Sequence, residues 1–305
     1  MLKTYKILDG KVLNDESGLG NIKLYCKPDE AERKLLVNSY LIDAHTLNSA
    51  LDADELSRLE FEPDHQVMIF KIPQNYSAAE PMLFRVNSLG VFLFKDKLVI
   101  ITNDNIPMFT NKTFNKVASL NDVVLKLIFA TINHFIDHLK AINLVSDDIE
   151  KKISTAMENK YLLSQFAIGK SLVFLQNAIN SNNVLLEKIK LNSVKLCLTQ
   201  DEIALLDDTL IENNQCYRQA EIYANILTNL MDAKASIISN NLNMLMKTLN
   251  IVTIMIMVPT FVVSAFSMNV SLPFDKDQPF AFFAIMTLAL ISAVGFFTLW
   301  RTKKW

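Results

Sequence analysis

Two asparagines, Asn243 and Asn250, lie seven residues apart at the start of an apolar stretch near the end of this chain. Seven residues make about two helical turns, so both side chains fall on one helix face. An amide exposed to lipid would leave its hydrogen-bonding groups unsatisfied. We therefore expect both amides to face another helix or a water-filled cavity. If copies of the helix surround an axis, each asparagine forms a ring of amide oxygens that can contact a passing cation.

The same helix face continues along the stretch through residues that would line a pore together with the asparagines. They are Ile254, Met257, Phe261 and Ala265. Rings of Met257 and Phe261 would form an apolar constriction, and channels select and gate ions with polar rings and apolar necks in series. A hydrogen bond between helices that holds an oligomer together explains the asparagines equally well. The pattern leaves these two interpretations open.

The residues of this face belong to, or lie just before, the first of two apolar stretches, at about residues 248–268 and 280–300. Each has about 20 residues, the length that a helix needs to cross about 30 Å of hydrocarbon. Arg301, Lys303 and Lys304 follow the second stretch, whereas the segment between the stretches carries a single lysine. The positive-inside rule then predicts a multi-pass plasma-membrane protein with both termini in the cytoplasm.

Composition narrows the classes of function. The net charge of −2 argues against a nucleic-acid partner, because binding to phosphates needs a basic surface. Cys26, Cys197 and Cys216 are odd in number and widely spaced, which favours reduced thiols in a cytosolic domain. The chain lacks a glycine-rich phosphate loop, a nucleophile elbow and an acid–base cluster, so we expect neither an enzyme nor an organic cofactor.

Residues 1–115 are predicted to form a cytosolic α+β domain. We expect strands at 21–26 and 66–72, helices at 29–40 and 45–51, and a hairpin that turns at 95–97. Asp52 is expected to cap a further helical turn that reaches Leu59.

The chain beyond residue 115 contains few helix breakers. No proline occurs between Pro107 and Pro259, and glycine is nearly absent. This pattern predicts long helices, at about 121–144, 146–191 and 199–268. We divide the rest of the chain into a helical stalk, residues 116–246, and a membrane domain, residues 247–305.

His134 and His138 are four residues apart on one of these predicted helices. Two imidazoles at that spacing can share a zinc ion. No third ligand is evident nearby in the sequence, so we interpret the pair as part of a solvent-facing helix surface.

The chain resembles the CorA-type magnesium channels, a two-span family marked by Gly-Met-Asn at the end of the first span. The stretches that carry the resemblance are residues 169–174 (GKSLVF), 210–215 (LIENNQ), 231–237 (MDAKASI), 237–249 (IISNNLNMLMKTL), 258–260 (VPT) and 267–269 (SMN). It covers nearly the whole chain and is weaker before about residue 119.

This resemblance implies a funnel-shaped homopentamer in the lipid bilayer that takes up Mg²⁺ passively, with Co²⁺ or Ni²⁺ as further substrates. Asn269 takes the position at the extracellular mouth, supported by Met268, where a ring of amides would hold a hydrated Mg²⁺ ion. Lys247 takes a basic position at the inner mouth. The family is gated by intracellular Mg²⁺ bound through acidic side chains. Candidates here are Asp147, Asp148, Asp207 and Asp208.

The motif departs from the family pattern at two positions. Ser267 stands where the family has the glycine of Gly-Met-Asn, and Ala265 replaces a second glycine. Glycine permits positive φ and close helix approach, which serine and alanine tolerate poorly. Two alternatives therefore stand beside a magnesium channel: a transporter of zinc or another divalent cation with the same fold, and a structural or regulatory membrane oligomer that does not conduct.

Overall fold

The structure is a computed structural model that describes residues 1–74, 84–105, 108–109, 112–155, 159–268 and 279–302. The chain divides into two compact units, Met1–Asn229 and Leu230–Trp305, and each is described by itself.

The first unit is built on one mixed sheet of seven strands. The strands are β1 (Leu2–Leu8), β2 (Lys11–Asn14), β3 (Ile22–Cys26), β4 (Arg58–Phe61), β5 (His65–Pro73), β6 (Val86–Phe94) and β7 (Leu98–Thr102). Their order across the sheet is β2-β1-β3-β7-β6-β5-β4. All neighbouring pairs are antiparallel except β3 and β7, which are parallel. The strands predicted at 21–26 and 66–72 and the hairpin turn at 95–97 are confirmed.

The β1–β2 hairpin was not predicted from the sequence. Leu8 pairs with Lys11 across a two-residue turn in which Asp9 and Gly10 both have positive φ, 49° and 72°. An Asp-Gly pair is the typical signal for such a turn, because its backbone twist matches the twist of the flanking strands.

The helices are α1 (Glu30–Tyr40), α2 (Ala44–Leu51), α3 (Leu120–Thr155), α4 (Asn159–Leu191), α5 (Gln200–Phe266) and α6 (Pro279–Thr302), with a 3₁₀ turn at Lys112–Asn115. Helices of the first unit cover both faces of the sheet. Alternate residues of β7 show the division: Leu98 and Ile100 join one core with α3 and α4, whereas Val99 and Ile101 join a second core with α1 and α2. The sheet and the first long helices therefore share one hydrophobic core.

Two local predictions were wrong. The helix expected to end near residue 144 continues as α3 to Thr155, because the polar residues around Ser146 contain no proline or glycine to break it. Asp52 does not begin a helical turn; it follows the end of α2 in an extended conformation, and the chain then enters β4. The domain limits at residues 115 and 246 stay predictions.

Asn182 of α4 ties the helix layer to the sheet. Its Oδ1 accepts hydrogen bonds from the backbone N–H of Lys71 (2.8 Å) and the hydroxyl of Ser57 (2.9 Å), and its Nδ2 donates to the carbonyl of Lys71 (2.8 Å). Strand β4 pairs with β5 only as far as Ile69. The side-chain amide thus replaces the strand that β5 lacks at Lys71, and Asn182 is fully buried.

Replacing Asn182 with alanine should lower the free energy of unfolding by about 2–3 kcal/mol, because it leaves a buried N–H, carbonyl and hydroxyl without partners. Chemical denaturation of the purified protein measures the change. Asn180→Ala on the same helix is the control, since Asn180 is exposed. Equal stability of the two variants would show that Asn182 does not hold the sheet.

Candidate functional site

Two helices in the described part of the chain are long and apolar enough to cross a membrane, α5 and α6. In α5 no residue of the most apolar window is buried in the chain, so this segment is not the core helix of a soluble domain. The apolar stretch predicted to be the first span is helical as far as Phe266, the end of α5, and α5 continues through Pro259 without a break.

Three residues of the α5 face that was predicted to line a pore have exposed side chains. Side chains of Met257 and Phe261 are 62% and 75% exposed, and Ile254 is 41% exposed. A different stripe of α5 is partly covered, formed by Ile251, Met255, Val258 and Val262. Ala265 lies at the edge of that stripe and is also partly covered. Met257 and Phe261 on the predicted face are thus exposed in the second unit.

The amides of Asn243 and Asn250 have no hydrogen-bond partner within the described residues. The threonine hydroxyls of this stretch differ, because Thr248, Thr253 and Thr260 each donate to the carbonyl one turn earlier. Asn250 lies in the predicted span, where an amide without a partner requires a neighbouring helix or water.

A groove of about 680 Å³ in the second unit holds both asparagines. Its α5 side contains Asn243, Lys247 and Asn250, and its α6 side contains Phe296 and Trp300. Asn243, Lys247 and Asn250 of α5 thus line one groove together with residues of α6. Sequence reasoning did not assign the α6 residues to the site; the signal for them is Trp300, since tryptophan is enriched where a span meets the interface.

The predicted motif lies at the end of α5. The backbone N–H of Ser267 donates to the carbonyls of Val263 (3.2 Å) and Ser264 (3.1 Å). Ser267 is not among the described non-glycine residues whose φ is positive. Serine therefore holds the position without the backbone strain for which glycine would be needed. Met268 is exposed, and Asn269 lies outside the described residues.

The four predicted regulatory acids lie in the first unit. Asp147 and Asp148 are exposed on α3, and Asp208 is exposed on α5. Asp207 forms an ion pair with Lys190 of α4, with 2.8 Å between Nζ and Oδ1. No group of three His, Cys, Asp or Glu side chains that could hold a metal ion occurs among the residues that the structure covers. The regulatory role of the four aspartates stays a prediction.

The interpretation of His134 and His138 as solvent-facing was wrong. His138 is buried, 7% exposed, and His134 is partly covered. The reason is tertiary packing: the ring of Phe84 lies edge-on to the His138 ring, 5.5 Å away between centroids.

Comparison with known proteins gives the class of this chain. A family profile described as "CorA-like Mg2+ transporter protein" matches residues 25–304, so the chain belongs to that family. Membership, together with the two apolar helices, makes it a membrane protein that transports divalent cations. The resemblance stated from the sequence is confirmed.

Individual relatives agree with this class. The cobalt/magnesium transport protein CorA of Methanocaldococcus jannaschii is 22% identical over 293 residues, which cover 91% of this chain and 89% of that protein. The complete structure of the CorA magnesium transporter from the same organism matches with a TM-score of 0.82 at 19% identity, over 98% of this chain and 96% of that one.

Two further structures share the fold. The full-length CmaX protein matches with a TM-score of 0.74 at 13% identity, over 100% of this chain and 97% of that one. The cytoplasmic domain of ZntB from Vibrio parahaemolyticus matches with a TM-score of 0.62 at 10% identity, over 78% and 98%. The predicted fold class, an α+β domain followed by long helices and two apolar helices, is confirmed.

If Asn250 lines the ion path as the sequence predicts, replacing it with valine should lower divalent-cation flux into liposomes by about tenfold or more, because each copy loses an amide that contacts the ion. Thr248→Val is the matched control: its hydroxyl already bonds within the helix and points about 160° away from Asn250. Equal flux through both variants would place Asn250 away from the ion path.

Proposed function

We propose that this protein is a homo-oligomeric channel that takes up Mg²⁺ passively across the plasma membrane. The observation that carries the proposal is the exposed face of α5, where the Asn243 and Asn250 amides have no hydrogen-bond partner among the described residues and the side chains of Met257 and Phe261 are exposed. An apolar helix with unsatisfied amides in a bilayer needs neighbours or water, and a ring of identical helices supplies both.

The oligomer is proposed as a pentamer from the family resemblance. Identical copies of α5 would surround the axis, with the α6 helices outside and in contact with lipid. On α6 the side chains of Ala281 and Ala289 are buried, and their small size allows close approach of a neighbouring helix. In this proposed assembly each subunit contributes a cytosolic α+β domain (residues 1–115), a stalk (116–246) and a membrane domain (247–305).

The ion filter is proposed at the extracellular mouth, formed by Ser267, Met268 and Asn269. Mg²⁺ dehydrates reluctantly, so a ring of neutral amide oxygens that contacts its water shell suits the ion better than a tight protein cage. The helical hydrogen bonds of Ser267 support this proposal, since the residue before Met268 continues the end of α5 without a left-handed backbone.

The conducting path would then pass from the mouth through an apolar neck to the inner amides. Met257 and Phe261 form the neck, where removal of water would close the pore. Asn250 and Asn243 follow, beside Lys247 at the inner mouth. An inside-negative potential of 100 mV would drive a divalent cation inward with about 4.6 kcal/mol, which explains uptake without an energy-coupling site.

Gating by intracellular Mg²⁺ is proposed through the exposed carboxylates of the first unit. Asp208 suits this role better than Asp207, because the ammonium of Lys190 already neutralises Asp207. Asp147 and Asp148 are further candidates. A carboxylate on each subunit that faces its neighbour would bind Mg²⁺ only in the assembled oligomer. The proposed cytoplasmic location of both termini puts all four acids on the side where intracellular Mg²⁺ can reach them.

Replacing Asn269 with alanine should abolish selective Mg²⁺ flux into liposomes that contain the purified oligomer. The measurement is Mg²⁺ entry at a fixed inside-negative potential, with Co²⁺, Ni²⁺ and Zn²⁺ as competitors. Wild-type protein that is folded and oligomeric yet passes no divalent cation would favour a non-conducting oligomer. Zn²⁺ entry that Mg²⁺ does not inhibit would favour the zinc transporter. Unchanged flux and ion preference in the variant would remove Asn269 from the filter.

Restoring glycine at Ser267 should change Mg²⁺ flux by less than about twofold, because Ser267 does not occupy a backbone region reserved for glycine. The same liposome assay measures it, with Ser264→Gly as a control for the general effect of glycine near the helix end. A large gain of flux in Ser267→Gly alone would show that the serine impairs the mouth.

A further inference from the structure

His134 and His138 of α3 are neighbouring imidazoles on one face of the helix. Their ring centroids are 4.6 Å apart, with an angle of 52° between the planes. Residues four apart on a helix lie one above the other on the same face. Two histidines at this spacing are the arrangement in which helices present imidazole nitrogens to a shared cation.

The surroundings of the pair favour a ligand. The Nδ1 atom of His138 is buried and has no hydrogen-bond partner within the described residues. A buried nitrogen without a partner is unfavourable by about 1–3 kcal/mol, so such atoms in native structures usually bind a water or an ion. Phe84 packs edge-on against His138 and holds the ring in place.

Burial lowers the pKa of His134, and burial together with the neighbouring His134 ring lowers the pKa of His138 to about 4. Asp137, which faces solvent between them, is the carboxylate whose field reaches both rings.

We propose that His134 and His138 form a binding site for a borderline divalent cation, Ni²⁺, Co²⁺ or Zn²⁺, with water in the remaining positions. No third His, Cys, Asp or Glu side chain joins them in the described part of the chain. Imidazole binds these ions well, whereas Mg²⁺ takes oxygen ligands and keeps its water. The site therefore distinguishes borderline cations from Mg²⁺ outside the proposed pore, and its existence does not depend on the proposed transport activity.

The test is calorimetric titration of Ni²⁺ into the full-length protein, purified without a histidine tag, in saturating Mg²⁺ so that the pore is occupied. Wild-type protein should bind one Ni²⁺ per chain. His134→Gln should weaken this binding by about tenfold or more, as loss of a ligand costs at least as much as loss of a supporting group. His134 is only partly buried, so this variant should remain folded.

His45→Gln is the matched control, because His45 is exposed on α2 and away from the pair in sequence. A second readout is thermal unfolding: Ni²⁺ should raise the midpoint of the wild type and of His45→Gln but not of His134→Gln, since a ligand stabilises the state that binds it. Unchanged Ni²⁺ affinity in His134→Gln, equal loss in His45→Gln, or displacement of all bound Ni²⁺ by Mg²⁺ would each overturn the proposal.

Discussion

Hydrocarbon cannot satisfy an amide, and this constraint explains more of the structure than any other. The end of α5 is apolar and exposed, yet it carries Asn250 in the predicted span and Asn243 seven residues earlier, and neither amide has a partner among the described residues. The threonines of the same helix donate to their own backbone. These two asparagines make no such bond in the described part of the chain, and within a bilayer an unpaired amide requires water or a second chain. In the proposed oligomer, a water-filled pore lined by identical copies of α5 would meet that requirement.

The first unit is a packed domain that contains the beginning of α5. One sheet is packed on both faces, with α1 and α2 on one side and the long helices on the other. Asn182 joins α4 to the unpaired part of β5, and α5 is buried against this unit at residues such as Leu206 and Cys216 before it becomes exposed. The membrane segment is thus the continuation of a helix that is anchored in a packed core.

Two kinds of cation chemistry are separated in this chain. The membrane segment offers neutral amide oxygens, which suit a hydrated hard cation. The site proposed on helix α3 offers two imidazoles, which suit borderline cations that share the charge of Mg²⁺ but bind nitrogen more strongly.

The sequence by itself determined the two apolar stretches and the long helices, because hydropathy over about 20 residues and helical periodicity are properties of the chain alone. It also encodes the β1–β2 hairpin in Asp9-Gly10. The ion pair of Lys190 with Asp207, the burial of His138 and the groove lined by both Asn250 and Trp300 were decided only by tertiary structure. Each depends on residues distant in sequence that packing brings together, and no local pattern encodes such a distance.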